Sequence, residues 1–288
     1  MTDSTLESVG GRPAGGRVLV LLDGSRVSLS ALEAAASIAE HTGAEVHGVF
    51  VEEQDLLRSA GYGFAREVGA FSGLSRPLDV VALEQRMQRL AEQTRRTLAG
   101  VVGRYGGRYR LNISRGRVVE EVLALAGPED LLVLGRARWA TVPGPLLGST
   151  VRGLVQRSPG RLLLWSPQRA PTRGRIVVFL NDHEQGSRRA VSAAAEAAAY
   201  SRQPVALLLA EGASVTGQQL SELKQLTGLP ESEVQVLTLP ASDPVTIARL
   251  LRRQQAAQLV LSRECSLFQE PGAEALLSAL HLPVTITP

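Results

Sequence analysis

The chain has 288 residues, of which 44% are hydrophobic and 20% charged, enough for one large domain or two ordinary ones with buried cores. A net charge of +3, with the basic residues scattered, argues against strong nucleic-acid binding, and no apolar run of roughly 18 residues offers a membrane span. One cysteine, Cys265, excludes an internal disulfide and a cysteine metal site and fits a reducing cytoplasm, while a single lysine, Lys224, removes P-loop and lysine chemistry from the rest of the chain.

Residues 1–15 are rich in Ser, Thr, Gly and Asp and have no apolar centre, so they read as a mobile tail rather than a signal peptide. An apolar strand from Val18 to Leu22 follows and ends at Asp23. Next come an Ala-rich helix, Ser28 to His41, and a second strand, Val46 to Val51. The segment 53–78 breaks the rhythm: it sets Tyr62, Phe64 and Phe71 among glycines in a chain only 4% aromatic. Its aromatics either cover the ligand side of the sheet, dock a partner, or tuck over the core beneath, which is the reading adopted. Val80 to Val102 has helical apolar spacing, with Arg86, Arg89, Arg95 and Arg96 as a solvated face. A helix over Arg117–Ala126 leads into a strand over 130–136. A Gly/Pro loop from Gly135 then reaches Gly148-Ser149-Thr150, which opens a helix to Arg157, and Arg161–Trp165 is a closing strand.

The pattern then repeats. Gly16-Arg17 followed by an apolar run matches Gly174-Arg175 followed by another. After it come a helix (Ser187–Ser201), a strand (Val205–Leu209), a helix (Pro244–Gln255), a strand (Gln258–Arg263) and a final strand (Pro283–Thr287). The Pro/Arg-rich stretch Ser166–Thr172 reads as a linker, giving domains at 16–167 and 174–288. Apolar strands alternating with helices predict two doubly wound, five-stranded parallel α/β sheets in tandem, with ligands expected beyond the strand carboxyl ends.

Three features of the first half meet there. Asp23 leaves strand one, Gly135 leaves strand four, and Gly148, Ser149 and Thr150 stand at a helix start, where backbone N–H groups and hydroxyls suit phosphate oxygens. Arg136 and Arg138 could add charge-assisted contacts. Gly-Ser before a helix is equally an ordinary N-cap, and Asp23 equally a turn former.

The run Gly135-x2-Arg138-x9-Gly148-Ser149, together with Asp23 and the strand order, resembles the Gly-x2-Gly-x9-Gly-Ser/Thr loop of the universal stress protein family, over Gly16–Pro167 well and Gly174–Pro288 more weakly. The resemblance implies an adenine nucleotide alpha hydrolase-like fold and a regulatory rather than metabolic protein. The ligand it implies is an adenine nucleotide, usually ATP with Mg²⁺ or Mn²⁺ carried by the phosphates. Asp23 would face the base or ribose, Val49, Phe50 and Val51 would flank the adenine, and Gly135, Gly148, Ser149 and Thr150 would hold the phosphates. It also implies pairing of the two halves as a pseudo-dimer through their last strands, and leaves a homodimer open.

One residue departs from the pattern, because Arg138 stands where the family has glycine. It either pairs with a phosphate or fills the pocket, and Trp139 beside it either lids the base or packs under the loop. The second half has Ser262-Arg263-Glu264-Cys265 after strand four, with no paired glycine and no Gly-Ser, and Glu264 and Glu270 would repel phosphate. His41, His47, His183 and His281 lack metal-ligand spacing, and no nucleophile–base set appears, so nothing argues for catalysis, slow ATP hydrolysis included. Two readings stand: a nucleotide-responsive regulator, or a nucleotide-free interaction module that recognises a protein through 53–78.

Overall fold

The glycine that opens each repeat has a steric reason. A Cβ on Gly16 would lie 1.7 Å from the carbonyl oxygen of Glu129, and one on Gly174 would lie 2.5 Å from that of Gln255. In each half, the chain entering its first strand is thus pressed against the turn that precedes the fourth. Next to Gly16, the Arg17 guanidinium donates to Asp130 at 2.6 Å, and Asp130 also accepts from the N–H groups of Arg17 and Gly127.

The computed structural model describes residues 16–69, 72–136, 148–167, 174–180, 183–210, 215–239, 243–265, 276–277 and 280–288. The tail (1–15) and most of the linker lie outside these. The first half runs β1 (Val18–Leu21), α1 (Arg26–Thr42), β2 (Val46–Glu53), α2 (Gln54–Ala60), β3 (Arg66–Val68), β4 (Ser75–Pro77), α3 (Val80–Arg104), β5 (Tyr109–Gly116), α4 (Val118–Leu125), β6 (Leu131–Gly135), α5 (Ser149–Arg157) and β7 (Arg161–Trp165). The second half runs β8 (Arg175–Leu180), α6 (Glu184–Ser201), β9 (Val205–Leu209), α7 (Gly217–Leu226), a 3-10 turn, β10 (Val234–Thr238), α8 (Pro244–Arg253), β11 (Ala256–Ser262) and β12 (Val284–Thr287).

Ten strands form one sheet in the order β10-β9-β8-β11-β12-β7-β6-β1-β2-β5, while β3 and β4 pair separately as an antiparallel hairpin. Within each half every pairing of the ten-stranded sheet is parallel, and the central strands are apolar on both faces because helices cover both. Val18 and Val20 pack with Leu32 and Leu98 under α1 and α3, whereas Leu19, Leu132 and Leu134 pack with Val122 and Leu154 under α4 and α5. On that second face the core continues into Leu259, Leu261 and Val284 of the other half.

The two halves meet strand to strand. β12 runs antiparallel to β7 with Val284 opposite Leu164, Thr285 opposite Leu163 and Ile286 opposite Leu162. This is the pairing through last strands that the family resemblance implies. On one face of the joint, a cavity of about 300 Å³ is lined by Ile38, Leu163, Tyr200, Gln258 and Thr285 among others. Burial there pushes the Tyr200 hydroxyl up to about 12.

Candidate functional site

In both halves the strand order reverses beside the first strand, between β1 and β6 and between β8 and β11. Parallel strands on either side of such a point send their following helices to opposite faces and open a crevice at the carboxyl ends. In the first half Asp23 and Gly135 leave neighbouring strands there, in a register that pairs Val20 with Val133.

The helix α5 begins with an open end. Gly148 is its N-cap, with φ −57° and ψ 155°, and its carbonyl accepts the first intrahelical bond from Arg152 N–H at 3.0 Å. Among the described residues no side chain caps the helix. Ser149 is the first helical residue, and Gly148 takes the N-cap position that the alternative reading gave to Gly-Ser. Gly148 and Ser149 are exposed and Thr150 half-buried, and the positive end of the helix dipole lies at this end.

Asp23 does form a turn. Its Oδ1 accepts from Ser25 N–H at 2.9 Å, and its own N–H reaches Ser28 Oγ at 3.5 Å. Ser25 in turn caps α1 by accepting from Ser28 N–H. Burial works against the ionised carboxyl, yet the hydrogen bonds from Ser25 and Ser28 outweigh it and hold Asp23 below its ordinary value. Asp23 is exposed while it shapes the turn.

Other expected site residues sit elsewhere. Val49 and Phe50 are 0% and 3% exposed, so neither offers surface to a base, and only the half-buried Val51 does. Arg136 is a correction. Its guanidinium is buried and donates to the backbone carbonyls of Leu277, Leu280 and Leu282 in the second half, the last at 3.2 Å, so it is committed across the joint rather than to phosphate. Burial pulls its pKa down to about 10. Gly135 faces α1, where a Cβ would meet the Val27 carbonyl oxygen at 2.7 Å. Arg138 and Trp139 lie outside the described residues.

Residues 16–164, more than half of the chain, match the family model described as the universal stress protein family. The chain belongs to the universal stress protein family. Among solved structures, a universal stress protein from Archaeoglobus fulgidus DSM 4304 superposes with a TM-score of 0.69 at 15% identity, over 94% of this chain and 95% of that one. A putative universal stress protein from Pseudomonas aeruginosa UCBPP-PA14 gives 0.55 at 16% identity, over 95% and 93%. A functionally unknown protein from Pseudomonas aeruginosa PAO1 gives 0.55 at 17%, over 95% and 92%. No curated protein sequence matches the chain. The two-half architecture is therefore shared along nearly the whole length, at identities that speak for the fold alone.

Against the family's loop, the second half differs. After β11, Arg263 donates to carbonyls of the first half, and Glu264 is paired with Arg189 at 2.8 Å. Asn181, Asp182 and the stretch 266–275 lie outside the described residues. Cys265 is buried. Among the described residues no group of three His, Cys, Asp or Glu is placed to hold a metal ion, and no helix is long and apolar enough to cross a membrane.

The segment 53–78 overturns an expectation. Tyr62 and Phe64 do not tuck over the core: they are 58% and 81% exposed, stacked on one another with centroids 5.4 Å apart and planes 6° from parallel. Val68 and Leu74 of the hairpin region are exposed as well. Phe71 lies outside the described residues.

Proposed function

We propose that this chain is a regulatory universal stress protein whose first domain, 16–167, binds an adenine nucleotide, ATP being the first candidate, while the second domain, 174–288, binds none. The observation that carries this reading is the N-terminus of α5 at Gly148-Ser149-Thr150, where no side-chain cap is present among the described residues and Gly148 and Ser149 are exposed, at the same sheet end as the Asp23 turn. There the phosphates would lie on the N–H and hydroxyl groups of Ser149 and Thr150, with Asp23 and Val51 toward the nucleoside. A Mg²⁺ or Mn²⁺ ion would be held by the phosphates themselves. The single buried cysteine fits a reducing cytoplasm as the place of action.

Isothermal titration of the full chain with millimolar MgATP tests this. Heat of binding and a raised melting temperature are expected, and neither heat nor shift would end the reading.

A second reading is favoured by one observation, the exposed Tyr62–Phe64 stack: the chain acts as an interaction module through 53–78. Arg138→Gly separates the two. It creates nucleotide binding if the arginine closes the pocket, and spares or weakens it if the arginine serves the phosphates.

A further inference from the structure

Arg136 and Arg263 each follow the fourth strand of their half, and the backbone around them is the same. Arg136 N–H donates to Trp165 O at 2.8 Å and Arg263 N–H to Thr287 O at 2.8 Å, so both residues are fixed to the closing strand of their own half. Their side chains then cross the joint in opposite directions. Arg136 donates to Leu277, Leu280 and Leu282 carbonyls at the helical turn before β12. Arg263 donates to Gln156 O at 2.8 Å, Ser158 O at 2.9 Å and Val155 O at 3.5 Å, which are the last carbonyls of α5.

Those carbonyls have no intrahelical partner, and they carry the negative end of the helix dipole. A guanidinium there supplies the missing donors and fixes the helix along its axis. α5 has only nine residues, so a shift at its C-terminus is felt at its N-terminus. Its other holds on the first half include Val151, Leu154 and Val155 in the core, Gly153 against Val119, and an exposed pair between Arg157 and Glu120 at 3.3 Å.

We propose that Arg263 is a positioning residue for the phosphate-binding end of α5, so that the second half sets the nucleotide affinity of the first. This rests on the reading of Gly148-Ser149-Thr150 as the phosphate site. It gives the half without a nucleotide loop a function in the site it does not contain. Arg136 fastens the other flank of the loop, at the exit of β6, to the same partner half.

Two measurements on the full-length chain decide the matter: amide hydrogen exchange of peptides within 149–158, and calorimetric affinity for MgATP. In Arg263→Met, exchange across 149–158 accelerates and ATP affinity falls about tenfold, the scale of coupling through residues that do not touch the ligand. Arg263→Lys keeps a cation but not the forked donors, so it gives changes in the same direction and smaller, and it stands in if the methionine variant fails to fold. Leu223→Ala, which loosens α7 far from the joint, is the control: stability falls and ATP affinity does not. Unchanged exchange in Arg263→Met overturns the proposal, as does faster exchange with undiminished affinity. If the unsubstituted chain takes no nucleotide, the reading of the site fails by itself, and exchange across 149–158 still decides whether Arg263 positions α5.

Discussion

Gly135 and the backbone of Val27 stand too close for any side chain between them: a Cβ on Gly135 would lie 2.7 Å from the Val27 carbonyl oxygen and 2.8 Å from its Cγ1. The first turn of α1 therefore rests on the end of β6, and the glycine that opens the family's loop is required by helix packing whatever the ligand does. Gly135→Ala is expected to cost about 1–3 kcal/mol in urea unfolding, because the neighbour that must yield is backbone. A neutral result would show that α1 shifts freely at that point.

Gly148 poses the opposite case, since a Cβ there meets nothing within 4 Å. Gly148→Asp would place a carboxylate at the open N-terminus of α5, where it can accept the first-turn N–H groups. It is expected to stabilise the protein by roughly 0.3–1 kcal/mol and to abolish ATP binding, because the new carboxylate occupies and repels the phosphate position. Melting curves and calorimetry read both effects. Retained ATP affinity in this variant would place the phosphates elsewhere.

Asp130 ties the start of β1 to the turn before β6. Burial works against its ionised form, but its bonds with Arg17 and the Gly127 N–H prevail and hold its carboxyl below the usual 3.8. A lowered folded pKa contributes stability that is present above the unfolded value and is lost as pH falls through the folded one. Asp130→Asn is expected to cost about 2–4 kcal/mol near neutral pH, since it removes the carboxylate facing the half-buried Arg17 and leaves that guanidinium its bond to the Leu125 carbonyl. The difference between variant and parent should shrink in urea titrations below about pH 4. A gap that stays constant there would mean that the carboxylate charge contributes little.

Tyr62 and Phe64 touch solvent on most of their surface, so the double variant Tyr62→Ser, Phe64→Ser is expected to change stability by less than about 0.5 kcal/mol. A loss of several kcal/mol would restore the reading in which they cover a core.

The central strands were legible because they are short, apolar and flanked by Ala-rich helices, and the repeat of Gly16-Arg17 in Gly174-Arg175 marked where each half begins. The third strand of each half was not located from the residues. β5 is a sheet edge with Arg110 and Arg115 on it, and β10 is the opposite edge with Gln235 exposed; one-sided burial removes the continuous apolar run that betrays an inner strand. The glycine-and-hydroxyl signal at Gly148-Ser149-Thr150 pointed to a helix start, and α5 begins at Ser149 with Gly148 as its N-cap. Arg136 was misplaced because charge beside a phosphate loop suggests a phosphate contact, whereas its partners are backbone carbonyls some 140 residues further on, which no local pattern reveals. Val49 and Phe50 belong to a strand end in the right place but lie beneath its surface, a distinction set by depth rather than by sequence.

The strand joint also bears on how the two copies were free to diverge. Leu163 and Thr285 are equivalent positions of the two repeats, each two residues before the carbonyl that receives the strand-four arginine, and they face each other across the joint. They therefore lie on the pseudo-twofold axis. Were two identical chains joined there, the residue on that axis would have to meet itself, and any change would enter twice. Fusion into one polypeptide lifts that rule. A threonine can sit opposite a leucine, with its hydroxyl accepting from Gln258 at 2.7 Å on its own side alone. Covalent linkage thus lets the two halves carry different residues at equivalent places.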